Sequence, residues 1–349
     1  MVSPLNWGLG HASRCVPIIR ELLAQGAEVI IGAEEYPLGL LKAEFPQLKS
    51  VELPGYNITY PSGGNMAIHM LKIMPKILSG IKDENRFIQE LVETEELDGI
   101  ISDNRFGLYS DKIPTVFMTH QVMVKSPLGE SFIQKLNGRF MSKFSEVWIP
   151  DYEDEPNISG DLAHKYKAPK NANFIGPLSR LKPLASQDKK FDVLAIISGP
   201  EPQRTLFQHI MQTELELANV KAAMVLGKAI STHQYVDENV TIFNHLPADE
   251  LNQLIHQSEM VISRSGYSTL MDLAQINRKA ILVPTPGQTE QEYLANWHAE
   301  QKHFFAVDQD RFDLDEALEH SKKYTGFSLP SDPELLSKTI SDWMDTISK

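Results

Sequence analysis

Met260-Val261-Ile262-Ser263-Arg264-Ser265-Gly266-Tyr267-Ser268-Thr269-Leu270-Met271-Asp272 is the stretch that decides the fold class. Its first four residues form a short apolar run of the kind that a buried parallel strand needs, without strict alternation. A Ser/Gly turn follows, and then a pattern that opens a helix. Strand, glycine turn and helix in this order make the repeating unit of an α/β sheet.

Working outward, the same unit recurs on both sides. Val193–Ile197, Ala223–Leu226, Val240–Phe243, Ile281–Val283 and Phe305–Val307 read as further strands in the second half. In the first half, Val2–Leu5, Val29–Ile31, Gly99–Ser102, Val116–Thr119 and Val147–Ile149 do the same. Helical patterns lie between them, such as Val16, Ile19, Leu22 and Leu23, closed by Gly26 at a C′ position. The alternation occurs twice, which predicts two Rossmann-like, doubly wound α/β domains. The first is expected over residues 1–178 and the second over 191–330. A polar, Pro-containing linker (179–190) separates them, and a C-terminal helix (331–349) is expected to pack back toward the first domain. Ligands of open α/β sheets bind beyond the carboxyl ends of the strands, so the expected site is a cleft where the two domains face each other.

At 349 residues the chain is long enough for two cores, with 42% hydrophobic and 23% charged residues. A net charge of -13 argues against a nucleic-acid partner, which needs clustered Lys and Arg. The lone cysteine, Cys15, excludes an intrachain disulfide and a Cys-rich zinc site, and fits a cytoplasmic protein. No apolar run spans a membrane, and the N-terminal residues lack the layout of a signal peptide. Met66–Leu78 mixes apolar residues with lysines, so it is either a helix for peripheral contact with the inner face of the membrane or Met-rich core.

Four loops after strands carry candidate chemistry. In Asn6–Arg14, Gly8 and Gly10 allow a tight turn, and His11 at the helix start can serve as a general base. The alternative is a glycine turn with an incidental histidine. The Gly-x-Gly-x-x-Gly fingerprint of dinucleotide sites is absent. Ser198 and Gly199 open a second loop, where a hydroxyl and backbone N–H groups at a helix N-terminus suit a diphosphate without a metal. In the third loop Ser265, Gly266, Ser268 and Thr269 can hold phosphate oxygens or simply cap the helix, and Asp272 is placed to accept from two ribose hydroxyls. Gln288, Glu290 and Gln291 form a fourth patch of the kind that binds sugar hydroxyls, or a solvated helix start. The Asp-x-Asp pairs Asp308/Asp310 and Asp313/Asp315 read as helix caps, and no metal or cofactor is expected.

The series Ser263–Asp272, Pro284 and Gln288–Asn296 resembles the C-terminal signature of family 28 glycosyltransferases, which include the MurG-type N-acetylglucosaminyltransferases and the diacylglycerol glycosyltransferases. The Gly8–His11 turn is similar to the Gly-rich, His-ending loop of that group. The resemblance implies the GT-B fold, with a nucleotide-sugar donor, UDP-linked, on the second domain and the acceptor on the first. It implies that Asp272 binds ribose, where MurG-like enzymes carry glutamate. Ser198, Gly199, Ser265, Gly266 and Ser268 would then surround the diphosphate, and Gln288, Glu290 and Gln291 the sugar. His245 and Leu246 fall where a base-contacting segment is expected. Asp103 and Arg105 after one strand, and His120 and Gln121 after the next, resemble acceptor-side loops. One departure is that Ser198-Gly199-Pro200 replaces a Gly-Gly-Ser phosphate loop.

The expected reaction is a metal-independent, in-line displacement with inversion. His11 removes the acceptor proton, Asp103 orients it, and the helix N-termini after Ser198 and Gly266, with Arg264, stabilise the departing diphosphate. The acceptor hydroxyl would sit on a carbohydrate or lipid carrier of the cell envelope, beside Gly8, Gly10 and Arg14. Two rivals remain. Gly10-His11 followed by Arg14 and Cys15 also resembles the nucleotide-sugar hydrolase of pseudaminic acid synthesis, and a nucleotide-sugar binder without turnover would need no base.

Overall fold

The computed structural model describes residues 1–55, 66–123, 130–228, 234–237, 239–330, 332 and 334–347. The chain divides into two compact units, Met1–Leu178 with Pro330–Lys349, and Ser179–Leu329.

The first unit runs β1 (Val2–Pro4), α1 (Leu9–Ala24), β2 (Ile31–Ala33), α2 (Glu35–Glu44), β3 (Ser50–Glu52), α3 (Met66–Thr94), β4 (Ile100–Asp103), β5 (Thr115–Met118), α4 (Glu130–Met141), β6 (Glu146–Ile149), α5 (Asp161–His164) and β7 (Ala172–Phe174). Its sheet has the order β3-β2-β1-β4-β5-β6-β7, and every pairing is parallel. β1, β2, β4 and β5 are buried along their whole length, so their sequences are rich in apolar residues without strict alternation, with Ser3, Ser102, Asp103 and Thr115 buried among them. α1 ends at the expected place: Gly26 takes φ +87, and its N–H donates to Leu23 O at 3.1 Å.

The second unit runs β8 (Phe191–Ile196), α6 (Gln203–Leu217), β9 (Ala222–Val225), β10 (Gln234–Asp237), β11 (Val240–Phe243), α7 (Ala248–His256), β12 (Ser258–Ser263), α8 (Tyr267–Gln275), β13 (Ala280–Leu282), α9 (Thr289–Glu300), β14 (Phe305–Ala306) and α10 (Leu314–Ser321). The order is β10-β11-β9-β8-β12-β13-β14, parallel except where β10 meets β11. One core, built on Val193, Phe207, Met211, Met224, Ile262 and Ile281, joins α6 to the central strands.

A final helix, α11 (Leu335–Ile347), returns to the first unit. Trp343 is buried and meets Trp148 edge-on with ring centroids 5.9 Å apart, and Ser337 accepts from Gln25 Nε2. Gly99 makes room for it, since a Cβ there would come within 2.8 Å of the Trp343 ring.

Residues 179–190, read as a linker, are laid along the second unit. Asn252 donates to Lys182 O at 2.8 Å, His256 Nε2 accepts from Leu184 N, and Lys189 Nζ donates to the carbonyls of His256 and Ser258. Met66–Leu78 forms the first part of α3, but side chains 66–73 lie outside the described residues. Among the described residues no helix is long and apolar enough to cross a membrane.

Candidate active site

Each sheet reverses its winding once, and at such a point the loops on either side diverge and leave room for a ligand. In the first sheet this happens between β1 and β4. Their register sets Pro4 beside Asp103, and Leu5 N donates to Asp103 O at 3.0 Å. Asp103 ends β4, while His11 is the third residue of α1, so the fold brings together two residues far apart in sequence.

His11 Nδ1 lies 3.0 Å from Asp103 Oδ2 and 2.9 Å from Arg14 Nη2. Arg14, one helical turn on, donates from Nε to Asp103 Oδ2 at 2.7 Å and from Nη2 to Asp103 Oδ1, while its Nη1 reaches His120 Nδ1 at 3.0 Å. Arg14, Asp103 and His120 are buried, and the His11 side chain keeps 14% exposure. Burial alone would push the Asp103 carboxyl up, but Arg14 and His11 beside it outweigh burial and hold it at about 2. Asp103 is therefore a fixed anion. His11 Nδ1 thus lies between an acceptor, Asp103, and a donor-only group, Arg14 Nη2; in the tautomer whose Nδ1–H is given to Asp103, the Nε2 lone pair is left for a base, and a proton taken there makes an imidazolium paired with the carboxylate. Gly8 precedes α1 at φ +97 with no atom within 4 Å of a Cβ, so glycine is needed there for its backbone and not for space.

The second sheet reverses between β8 and β12. Ser263 stands beside both Ile196 and Leu282, so the loops beginning at 197, 264 and 283 leave from one edge. Gly199 (φ +110) lies close to Thr285, with 3.6 Å from an ideal Cβ to Thr285 Oγ1. Gly266 is the N-cap of α8, with space beside it. Ser198, Ser268 and Thr269 are half-buried around this edge. The hydroxyls of Ser263 and Thr285 are buried without a protein hydrogen-bond partner. Such groups carry a desolvation cost that an oxygen-rich ligand could offset. Gln291 knits the edge together, its side chain accepting from Thr285 N at 2.9 Å and donating to Gln288 Oε1 at 2.5 Å. Glu290 lies in the first turn of α9, His245 is half-buried after β11, and Leu246 is buried.

With this geometry in view, a model of the glycosyltransferase family 28 C-terminal domain matches residues 196–325. A protein of Methanosarcina acetivorans, named only as an uncharacterised glycosyltransferase, is 23% identical over 311 residues, covering 82% of this chain and 77% of its own. The chain is a glycosyltransferase carrying the family 28 C-terminal domain. A UDP-N-acetylglucosamine–N-acetylmuramyl-(pentapeptide) pyrophosphoryl-undecaprenol N-acetylglucosamine transferase of Rhodopseudomonas palustris is 47% identical over 84 residues, 21% of this chain and 23% of that one. Among solved structures, spinosyn rhamnosyltransferase SpnG complexed with thymidine diphosphate superposes with a TM-score of 0.61 at 15% identity, over 99% of this chain and 95% of that one. The fold of this glycosyltransferase is GT-B.

The structure gives several of the expected site residues of the glycosyltransferase partners within the protein. Arg264, meant for the diphosphate, is 1% exposed and turned inward. It donates to the carbonyls of Val283, Pro284 and Gln203 and to Gln309 Oε1, with its guanidinium 4.0 Å from the Phe207 ring centroid. Burial lowers it to about 9. Its task is to clamp loops. Arg105, expected on the acceptor side, is buried against Glu84 (2.6 Å), Glu34 (2.9 Å) and Pro54 O (2.7 Å), because a desolvated guanidinium needs carboxylates and carbonyls around it. Ser265 gives its hydroxyl to Gln291 O at 2.8 Å, so only its backbone is available. Asp272 accepts from Ser179 Oγ at 2.5 Å, and burial raises its carboxyl to about 6 against the pull of Arg180 and Ser179. Gln121 N donates to Thr119 Oγ1 at 3.0 Å, which tightens the turn after β5.

Asp313 caps α10, accepting from Glu316 N at 2.9 Å. Asp308 does not cap with its carboxylate; its carbonyl accepts from Arg311 N at 3.1 Å. Thr285 was missed in the sequence, although its place directly after β13 follows the same strand-then-loop rule that found the others. Glu34 and Glu84 carried no local signal, since their role depends on Arg105.

Proposed function

We propose that this glycosyltransferase moves a sugar, an N-acetylhexosamine or hexose, from a UDP-linked donor to an acceptor hydroxyl by a single in-line displacement with inversion. The observation that carries the reading is the pairing of His11 Nδ1 with Asp103 Oδ2 at 3.0 Å, on a carboxylate that Arg14 keeps ionised. His11 Nε2 accepts the acceptor's proton as its oxygen attacks the anomeric carbon, and Asp103 balances the charge that forms on the imidazole. The carboxylate beside His11, Asp103, is buried and held by Arg14, so it serves as a counter-charge and not as a nucleophile, and one base with one displacement gives inversion.

The second unit holds the donor. The backbone at Ser198 and Gly199 in the loop before α6, Gly266, Ser268 and Thr269 at the N-terminus of α8, and the Thr285 hydroxyl in the loop before α9 supply neutral donors for the diphosphate. Asp272 accepts from the ribose, with His245 and Leu246 near the base and Gln288, Glu290 and Gln291 at the sugar. A UDP-linked donor and an acceptor on a lipid-linked or free glycan are supported by the name of the Rhodopseudomonas palustris relative, and a nucleoside diphosphate by the ligand of SpnG. An enzyme of that kind works in the cytoplasm, at the inner face of the membrane where such carriers lie.

The test is release of UDP from UDP-N-acetylglucosamine and UDP-glucose by purified protein, with and without an added acceptor. Release that requires the acceptor, and that is lost in His11→Ala, supports the reading. Equal release without acceptor would make the chain a hydrolase, and binding without release would make it a receptor for the nucleotide sugar.

A further inference from the structure

The chain enters the second unit at Ser179, directly after Leu178. Ser179 Oγ lies 2.5 Å from Asp272 Oδ1 and 3.5 Å from Leu181 O, and it accepts from Leu181 N at 3.0 Å. Its single proton goes to the shorter contact, where the acceptor is charged, because charge-assisted bonds are the stronger. The Arg180 backbone N–H is a second donor to the same carboxylate. Further along, Asn252 donates to Lys182 O at 2.8 Å, so residues 179–182 are pinned to α8 and α7. An ionised carboxylate offers about four lone-pair sites. Ser179 and Arg180 take two, and two are left. Burial still raises the group to about 6 against the pull of Arg180 and Ser179, so the anion is short of donors, and Asp272 is only half-buried. Two vicinal hydroxyls would fill both places, whereas a deoxyribose, with one hydroxyl, would fill one.

We infer that Ser179 is a positioning residue for nucleotide recognition: it holds the Asp272 carboxylate so that the two remaining acceptor sites meet both hydroxyls of a ribose. The first residue of the second unit thereby sets a preference for ribonucleoside over deoxyribonucleoside diphosphates. The inference rests on the donor reading above and gives its choice of a ribonucleotide a structural cause. That choice is not a property of the fold alone. The Rhodopseudomonas palustris relative is named for a UDP-linked donor, while SpnG holds thymidine diphosphate, a deoxyribonucleotide. Ser179 acts through Asp272 and needs no contact with the ligand. Without its hydroxyl the carboxylate loses the bond that fixes its rotation, and a misplaced acceptor serves two hydroxyls worse than one.

Calorimetry on the full chain compares UDP, 2′-deoxy-UDP, 5-methyl-UDP and thymidine diphosphate, a set that separates the 2′-hydroxyl from the base methyl. The native protein should bind each ribonucleotide about tenfold more tightly than its deoxy counterpart. Ser179→Ala should bring that ratio within about twofold by weakening the ribonucleotides most, and Ser179→Thr, which keeps the hydroxyl, should restore most of it. A serine that only supports the fold would weaken all four nucleotides by one factor, and that result overturns the inference. Equal binding of UDP and 2′-deoxy-UDP by the native protein also overturns it. If Ser179→Ala does not fold, hydrogen exchange of residues 179–182 in the native chain decides. UDP should slow it more than 2′-deoxy-UDP at matched saturation, because each added donor favours the charged form that the Arg180 N–H binds, and equal slowing counts against the inference. Failure of all four nucleotides to bind removes the donor reading and this inference with it, whereas binding without a ribose preference removes the role of Ser179 alone.

Discussion

The two units share one plan, a seven-stranded sheet with its winding reversed beside its first strand, yet the two reversal points are filled in opposite ways. Between β1 and β4 lies a compact knot of ionisable groups, in which His11, Arg14, Asp103 and His120 answer one another's charges and hydrogen bonds. Between β8 and β12 lie glycines, helix N-termini and hydroxyls, and the one arginine of the loop is turned into the core. In the first edge the internal pairing keeps a buried charge set in place, as the proposed proton transfer requires. The second presents neutral donors to an anion and spends its positive charge on holding loops. On the function proposed above, one scaffold separates acid–base work from phosphate binding by what it places at equivalent positions.

The contrast can be broken first at His11. His11→Ala should lower kcat for transfer by about 10²–10⁴-fold, while UDP affinity measured by calorimetry changes little. An equal loss of UDP binding would show that the two edges do not divide the work. Asp103→Asn comes next. It leaves Arg14 buried with no full counter-charge, and should cost about 3–5 kcal/mol in the melting of the first unit. Adding Arg14→Met should recover much of that stability without recovering turnover. If the single variant melts like the native protein, the knot is not what holds this edge.

The second edge should respond through affinity. Gly199→Ala forces a Cβ onto φ +110, a strain of about 1–3 kcal/mol, and should weaken UDP binding by roughly tenfold with an intact melting curve for the first unit. The smallest effect is expected at Asp272. Its carboxyl is raised to about 6 in the folded chain, so its contribution to stability is fully present below the unfolded value near 3.8 and is lost as pH rises through 6. Asp272→Asn should therefore raise the melting temperature at pH 7.5, by about 1–2 kcal/mol in stability, and change it little at pH 3.5. UDP affinity should fall a few-fold in the variant, and in the native protein as pH drops below 6. Asp103 shows the opposite sign, with stability present above pH 4 and lost as pH falls toward 2.

Strands buried on both faces were legible in the sequence because burial favours apolar runs without strict alternation, as in Ala222–Val225. The strands that went unread lie at or next to sheet edges. Ser50–Glu52 and Ala172–Phe174 are half-exposed, and Gln234–Asp237 is polar and antiparallel, so none has a full apolar signature. Val29–Ile31 was placed two residues early, since Val29 is buried without joining the ladder, which runs Ile31–Ala33. The His11 and Asp103 loops were readable from their place after strands. The fate of the two arginines was not. Arg264 depends on Gln309 and Arg105 on Glu34 and Glu84, partners that only the folded chain brings near.

The return of α11 to the first unit also sets an order of assembly. A growing chain leaves the ribosome from its N-terminus, and domains tend to fold as they emerge. Here the first unit cannot seat Trp343 against Trp148, or tie Ser337 to Gln25, until all of the second unit has been made. The second unit, continuous from Ser179 to Leu329, can close first. The half that is translated earliest is thus finished last, and a nascent chain stopped short of α11 would expose the apolar seam around Gly99 and Trp148 to chaperones or to aggregation.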